Sequence, residues 1–221
     1  MSVNRCPRIS NSGITAANRS APTSPSSSAL VISAPIVESL PPLPNAAAEA
    51  EFISGLYSPS TVLRGLRATP SEVLKRLGES TVLHVAAHGL VPNDFGRPRI
   101  LLSPEEPGDS GDLDTRMLLS SDLSGLRLAV LGTCRSTVGP WSETGGPLGL
   151  ARIFARAGVD FTLAARFEVP DDQASAFLID FHSQVAAGST PLQALHQARS
   201  LAIERSADAR IWSGFELFLG M

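Results

Sequence analysis

Residues 126–134, LRLAVLGTC, constrain the fold more than any other stretch of this chain. Seven of the nine are apolar or Gly, with no alternation. That is the pattern of a strand buried on both faces. The run is short and passes into a Gly/Ser/Thr-rich loop, GTCRSTVG, so a strand is expected rather than a helix. Strands buried on both faces belong to parallel α/β sheets, whose chemistry sits just beyond their carboxyl ends. Cys134 falls at that point.

Residues 81–88, TVLHVAAH, repeat the gesture: an apolar, β-branched run that stops at Gly89 and ends on His88. If the two strands are neighbours, a thiol and an imidazole leave the same edge of one sheet. A Cys–His pair is the minimum apparatus for nucleophilic thiol catalysis, because the imidazole shifts the thiol toward the attacking thiolate.

The remainder of the chain alternates strand and helix. Residues 29–34, ALVISA, read as a first buried strand, and residues 61–64 as a short second one. Asn45 can cap a helix to about Tyr57, with Ala48, Phe52, Ile53 and Leu56 as its apolar stripe. Thr69-Pro70-Ser71-Glu72 carries the cap, N1 proline and N3 glutamate of a helix reaching about Leu77. Residues 100–103 are strand-like, residues 104–114 read as loop, and residues 120–123 as a helical turn. Pro147 is expected to start a helix that ends at Gly158. Residues 161–169 read as strand. Asp171 or Asp172 caps a helix ended by Gly188, with Ala174, Phe177, Leu178, Phe181 and Val185 on its apolar face. Thr190 opens another capping box, with Leu192, Leu195, Ala198 and Ala202 inward, and residues 215–219 form a last strand. This alternation predicts an α/β fold, a three-layer sandwich with a mostly parallel central sheet.

Composition narrows the function. At 221 residues the chain suits one domain over residues 28–221. Residues 1–27, a Ser/Pro/Ala/Asn mixture, bury no face and read as a disordered tail. Arg5, Arg8 and Arg19, with no acid before Glu38, resemble a transit peptide in composition, but the amphipathic pattern is poor. A net charge of −3 and a pI near 5.8 give no basis for binding nucleic acid or an anionic membrane. No run reaches the roughly 18 apolar residues of a spanning helix. Of two cysteines, Cys6 lies in the polar tail. No structural disulfide is expected, and a reducing, cytoplasmic setting fits. Four scattered His and one core Cys lack metal-ligand spacing, and the segment 109–114, DSGDLD, is unlike a calcium loop, so no cofactor is expected.

His84-Val85-Ala86-Ala87-His88-Gly89, followed 46 residues after His88 by Gly132-Thr133-Cys134-Arg135, resembles the signature of the caspase clan. Ser136 replaces the Gly of that pattern. The closer resemblance is to the CHAT domain family, caspase-like peptidase domains related to separase and often fused to helical repeats. Residues 145–160, GGPLGLARIFARAGVD, are similar to its helix after the cysteine. Residues 163–175 resemble its next strand and Asp-Asp helix start, with Phe167 where the family usually has Trp. Residues 194–220 resemble its closing helix, tryptophan and strand, and residues 30–35 and 40–51 its early part. No single motif is specific, but their order and spacing together are.

The resemblance implies Cys134 as nucleophile and His88 as general base and acid. It further implies backbone N–H groups of Gly89 and Cys134 as the oxyanion hole. It implies a specific protein substrate and an activating protein partner, such as a helical repeat acting in trans. Arg166, Asp171 and Asp172 lie where a substrate pocket would be. The aspartates would favour a basic P1 residue and Arg166 an acidic one. His84 reads as a hydrogen-bonded core residue, and His182 and His196 as surface residues of helices. The rival reading is a catalytically silent interaction module of the same fold.

Overall fold

The buried runs assemble into one sheet because each has apolar side chains for both of its faces. A computed structural model of the chain describes residues 27–38, 40–90, 97–133, 141–142, 146–147, 149–167, 169 and 171–220. The tail expected over residues 1–27 falls almost entirely outside them.

Six strands make the main sheet: β1 (Ala29–Ser33), β2 (Ser60–Arg64), β3 (Val82–Ala86), β7 (Leu128–Leu131), β10 (Phe161–Ala165) and β11 (Phe215–Leu219). Their spatial order is β11-β10-β7-β3-β1-β2. All neighbours are parallel except β11, which runs antiparallel to β10 at one edge. A small antiparallel sheet joins β4 (His88–Leu90), β5 (Arg99–Leu101) and β6 (Asp112–Asp114). The segments β8 (Trp141–Ser142) and β9 (Gly146–Pro147) pair with each other.

Helices cover both faces of the main sheet. Alternate strand residues Leu30, Ile32, Leu83, Val85, Ala129 and Leu131 pack under α2 (Pro70–Leu77), α3 (Thr115–Ser120) and α4 (Leu150–Arg156). The intervening Val31, Val82, Leu128, Val130, Phe161 and Leu163 pack against α1 (Ala46–Gly55), α5 (Asp171–Ala186), α6 (Pro191–Glu204) and α7 (Ala209–Gly214). Both faces of the four inner strands β1, β3, β7 and β10 are buried, which is why these strands show no polar alternation, while the edge strand β2 is mostly exposed. The architecture is the expected α/β/α sandwich.

Helix starts follow their capping chemistry. The Thr69 hydroxyl accepts from Glu72 N–H, and Thr190 and Gln193 complete a reciprocal capping box. Gly158 and Gly188 follow α4 and α5 with φ of 94° and 96°, the left-handed geometry that ends a helix without a Cβ penalty.

Several expectations shift. The helix expected from Pro147 begins at Leu150, because Gly146 and Pro147 pair with β8. The turn expected at 120–123 does not form; the helix there lies earlier, as α3, which ends at Ser120 and is started by Asp114, whose carboxylate accepts from the N–H groups of Arg116 and Met117. Residues 112–114, expected as loop, form β6. The apolar stripe of α1 is turned: Ala46, Glu49, Ala50 and Ile53 are buried, while Ala48 and Phe52 are exposed. Leu192 is exposed at the start of α6. The two aspartates sit in the first turn of α5, which starts at Asp171, where negative charge suits the helix dipole.

Candidate active site

β3 and β7 are hydrogen-bonded neighbours, with Val85 opposite Leu131. Just past β7, the Gly132 N–H donates to the Val85 carbonyl at 2.9 Å. A Cβ at Gly132 would stand 2.9 Å from that oxygen and 3.1 Å from Leu178 Cδ1, so only glycine lets the strands stay this close here. Thr133 is fully buried, and its hydroxyl has no hydrogen-bond partner among the described residues. Cys134 lies outside the described residues.

His88 is not the last residue of β3, as its sequence suggests. The chain leaves the main sheet after Ala86 and bends at Ala87, and His88 opens β4 opposite Leu101. The bend brings the half-buried imidazole against the segment between β1 and α1, where Nε2 lies 2.9 Å from the Pro41 carbonyl. A carbonyl can only accept, so Nε2 carries the proton, and in the neutral ring Nδ1 keeps the lone pair. Gly89 follows, opposite Ile100.

The segment that presents Pro41 is itself pinned. The Ala34 N–H donates to the Ala86 carbonyl at 2.9 Å and the Ile36 N–H to Ser103 Oγ at 2.7 Å. The Ser33 hydroxyl donates to the Ala46 carbonyl at 2.8 Å in the first turn of α1. A groove of about 650 Å³ opens beside this segment at the carboxyl edge of β1 and β2. Exposed Ile36 and Leu66 line it, with Glu38, Glu105 and Asp109 around them. Ser71, through its side chain and its N–H, holds the Glu105 carboxyl below the usual range; the N–H groups of Glu105 and Gly111 do the same for Asp109.

Arg166 follows β10 at the same edge, exposed and 3.2 Å from Glu216 Oε1. Asp172 is exposed in the first turn of α5, and the side chain of Asp171 lies outside what is described. Among the described residues no three His, Cys, Asp or Glu side chains converge as metal ligands, and no helix is long and apolar enough to cross a membrane.

Beneath the edge runs a buried polar chain. Tyr57 Oη lies 2.8 Å from His182 Nδ1, His182 Nε2 lies 3.1 Å from His84 Nδ1, and His84 Nε2 lies 2.9 Å from Glu49 Oε1. His84 is thus the hydrogen-bonded core residue expected. His182, expected at the surface, is fully buried. Its position four residues after Leu178 and three before Val185 places it on the inward stripe of α5. Glu49 and the Pro41 carbonyl escaped sequence reasoning. The spacing of Glu49 with Ala46, Ala50 and Ile53 carried a signal; a backbone carbonyl carries none.

Burial, and then the neighbouring His84, push the His182 pKa well below 6.5, while burial pushes the Tyr57 hydroxyl up. The unfolded chain therefore takes up a proton near pH 6.5 that the folded one refuses. Folding stability is full above that pH and falls as pH drops below it, by at most about 1.4 kcal/mol per pH unit. Urea unfolding at pH 7.5, 6.5 and 5.5 should show this loss, and His182→Phe should flatten it.

A family model for the CHAT domain matches residues 5–220. The chain belongs to the CHAT domain family. Among solved structures it is similar to the Arg-specific cysteine proteinase gingipain R, with a TM-score of 0.51 and 12% identity over 87% of this chain and 46% of that one. A complex of the pro- and mature domains of the Porphyromonas gingivalis enzyme aligns with a TM-score of 0.46 and 11% identity, over 87% and 47% of the two chains. The CHAT chain thus spans under half the length of these structures, and the first likeness establishes a shared caspase-like fold. No curated protein matches.

Proposed function

We propose that this CHAT protein is a cysteine endopeptidase that cleaves a specific protein substrate through Cys134 and His88. The observation that carries the reading is the His88–Pro41 contact. It orients an imidazole at the carboxyl edge of the sheet with its Nδ1 lone pair unspent among the described residues, beside the strand whose end is joined through Gly132 and Thr133 to the cysteine. The CHAT family and the caspase-like fold support the same chemistry.

In this scheme Nδ1 of His88 takes the thiol proton, and the thiolate attacks the peptide carbonyl carbon. The backbone N–H groups of Gly89 and Cys134 stabilise the oxyanion. The C–N bond then breaks as His88 passes its proton to the leaving amine. Water, deprotonated by His88, hydrolyses the thioester and frees the enzyme. The Nε2–H bond to Pro41 persists throughout and holds the ring in place.

A protein partner, for example a helical repeat in trans, gates the site by ordering the loops around it. Arg166, Asp171 and Asp172 border the substrate pocket. The ion pair of Arg166 with Glu216 leaves the aspartates as the better pocket charge, favouring a basic P1 residue. The protein works in the cytoplasm without cofactor, nucleic acid or membrane.

A peptide-based electrophile that alkylates thiolates tests the dyad directly. Labelling of Cys134 in the wild type, lost in His88→Ala while Cys6 reacts as before, is the expected result. Equal labelling of Cys134 in both proteins would remove His88 from the mechanism and favour a silent interaction module.

A further inference from the structure

The buried chain under the site contains four ionisable groups that the cleavage scheme does not use, and two of them, Glu49 and His84, face each other. Both are almost wholly enclosed, with relative exposures of 4% and 0%. Glu49 Oε1 and His84 Nε2 approach each other to 2.9 Å without hydrogen-bond alignment, and neither atom has a hydrogen-bond partner among the described residues. Burying such groups is costly unless they are paired, so the contact is strongly held.

Its place in the chain gives it a task. β3 runs up to the site edge, and α1 runs back down from it. The segment 41–49 packs over β1 and β2 and reaches residues 84–88 at two points. The lower contact is Glu49 to His84, and the upper is the Pro41 carbonyl to His88 Nε2 at 2.9 Å. Ser33, through the Ala46 carbonyl, adds a tie to β1 between them. His182 and Tyr57 brace His84 from behind: Tyr57 Oη is hydrogen-bonded to His182 Nδ1 and His182 Nε2 to His84 Nδ1, which leaves the Nε2 side of the His84 ring facing Glu49. The upper contact is half-exposed and single, whereas the lower one is buried and braced.

We propose that Glu49, acting through His84, is a positioning residue for His88. It sets the height of the 41–49 segment against β3, and so keeps the Pro41 carbonyl where it holds His88 Nε2–H and leaves Nδ1 to the thiol. This role rests on His88 being the general base, but its signature is read without turnover.

The test is the Nε2–H proton resonance of His88 in protein carrying ¹⁵N-histidine, assigned by its absence in His88→Gln. A hydrogen bond to Pro41 slows exchange of that proton with water. The wild type should show it, and Glu49→Gln, which keeps shape and acceptor, should retain it. Glu49→Ala, folded by its amide spectrum, should exchange the proton about tenfold faster, the equivalent of one lost hydrogen bond. Should Glu49→Ala fail to fold, Glu49→Asp, which withdraws the carboxylate by one methylene, decides in the same way. An unchanged His88 resonance in whichever variant folds overturns the role, as does its absence from the wild type. Loss of cleavage by Cys134→Ala is independent of these outcomes, so failure of the positioning role and failure of the peptidase reading are told apart.

Discussion

Cys134→Ala is expected to abolish cleavage of a diverse peptide library by the purified protein, supplied with its activating partner where it needs one. Removing the nucleophile of a hydrolytic dyad costs roughly 10⁴-fold or more in kcat, because the remaining oxyanion donors and binding contacts supply only residual catalysis. His88→Ala should cost nearly as much, and the double variant no more than the worse single one. Groups that act as a unit fail together, and that non-additivity separates a dyad from two independent contributions. The cleavage profile also reads the pocket: a basic P1 preference that weakens in Asp172→Ala, with kcat preserved on other sequences, supports the acidic pocket. An unchanged preference removes Asp172 from it. Wild-type cleavage that survives in Cys134→Ala would end the peptidase reading for this cysteine.

The largest effect on stability is expected from Phe181→Ala. Phe181 is fully buried in the cluster between the main sheet and α5, edge-on to His182 with ring centroids 5.8 Å apart. The vacated space borders the Tyr57–His182–His84–Glu49 chain, whose hydrogen bonds resist collapse into it. A loss of roughly 3–5 kcal/mol is expected, with a melting temperature lower by on the order of 10 °C. Phe52→Ala is the control. It removes the same side chain from a position that is 50% exposed, and should change stability by less than about 0.5 kcal/mol. Thermal and urea unfolding of the two variants side by side measures the difference; a Phe181→Ala protein as stable as Phe52→Ala would refute the packing described for this face.

That pair of phenylalanines also shows where reading a sequence stops. In α5 the spacing of Phe177, Phe181 and Val185 was long enough to define the inward face, and the structure buries all three. In α1 the ten residues hold too few large apolar groups to define a face, and Phe52 outbid Glu49 for it on hydrophobicity alone. Glu49 faces inward because His84 awaits it there, a partner 35 positions away in the chain, a relation no local window contains.

The site divides along the same line. Non-alternating apolar runs specified strands buried on both faces, and with helices between them a mostly parallel sheet followed. These are consequences of local composition and of the steric rules that join strands through helices. Only tertiary structure decided that β3 and β7 are neighbours, that the chain bends at Ala87, that β4 belongs to a second sheet, and that His88 Nε2–H donates to the Pro41 carbonyl. It also decided that four residues from β3, α1, α5 and the loop before β2 join in one buried chain beneath the site. The physical reason is that side-chain periodicity reports which face a residue turns to, whereas hydrogen-bond partners are selected by distances between elements that form only on packing.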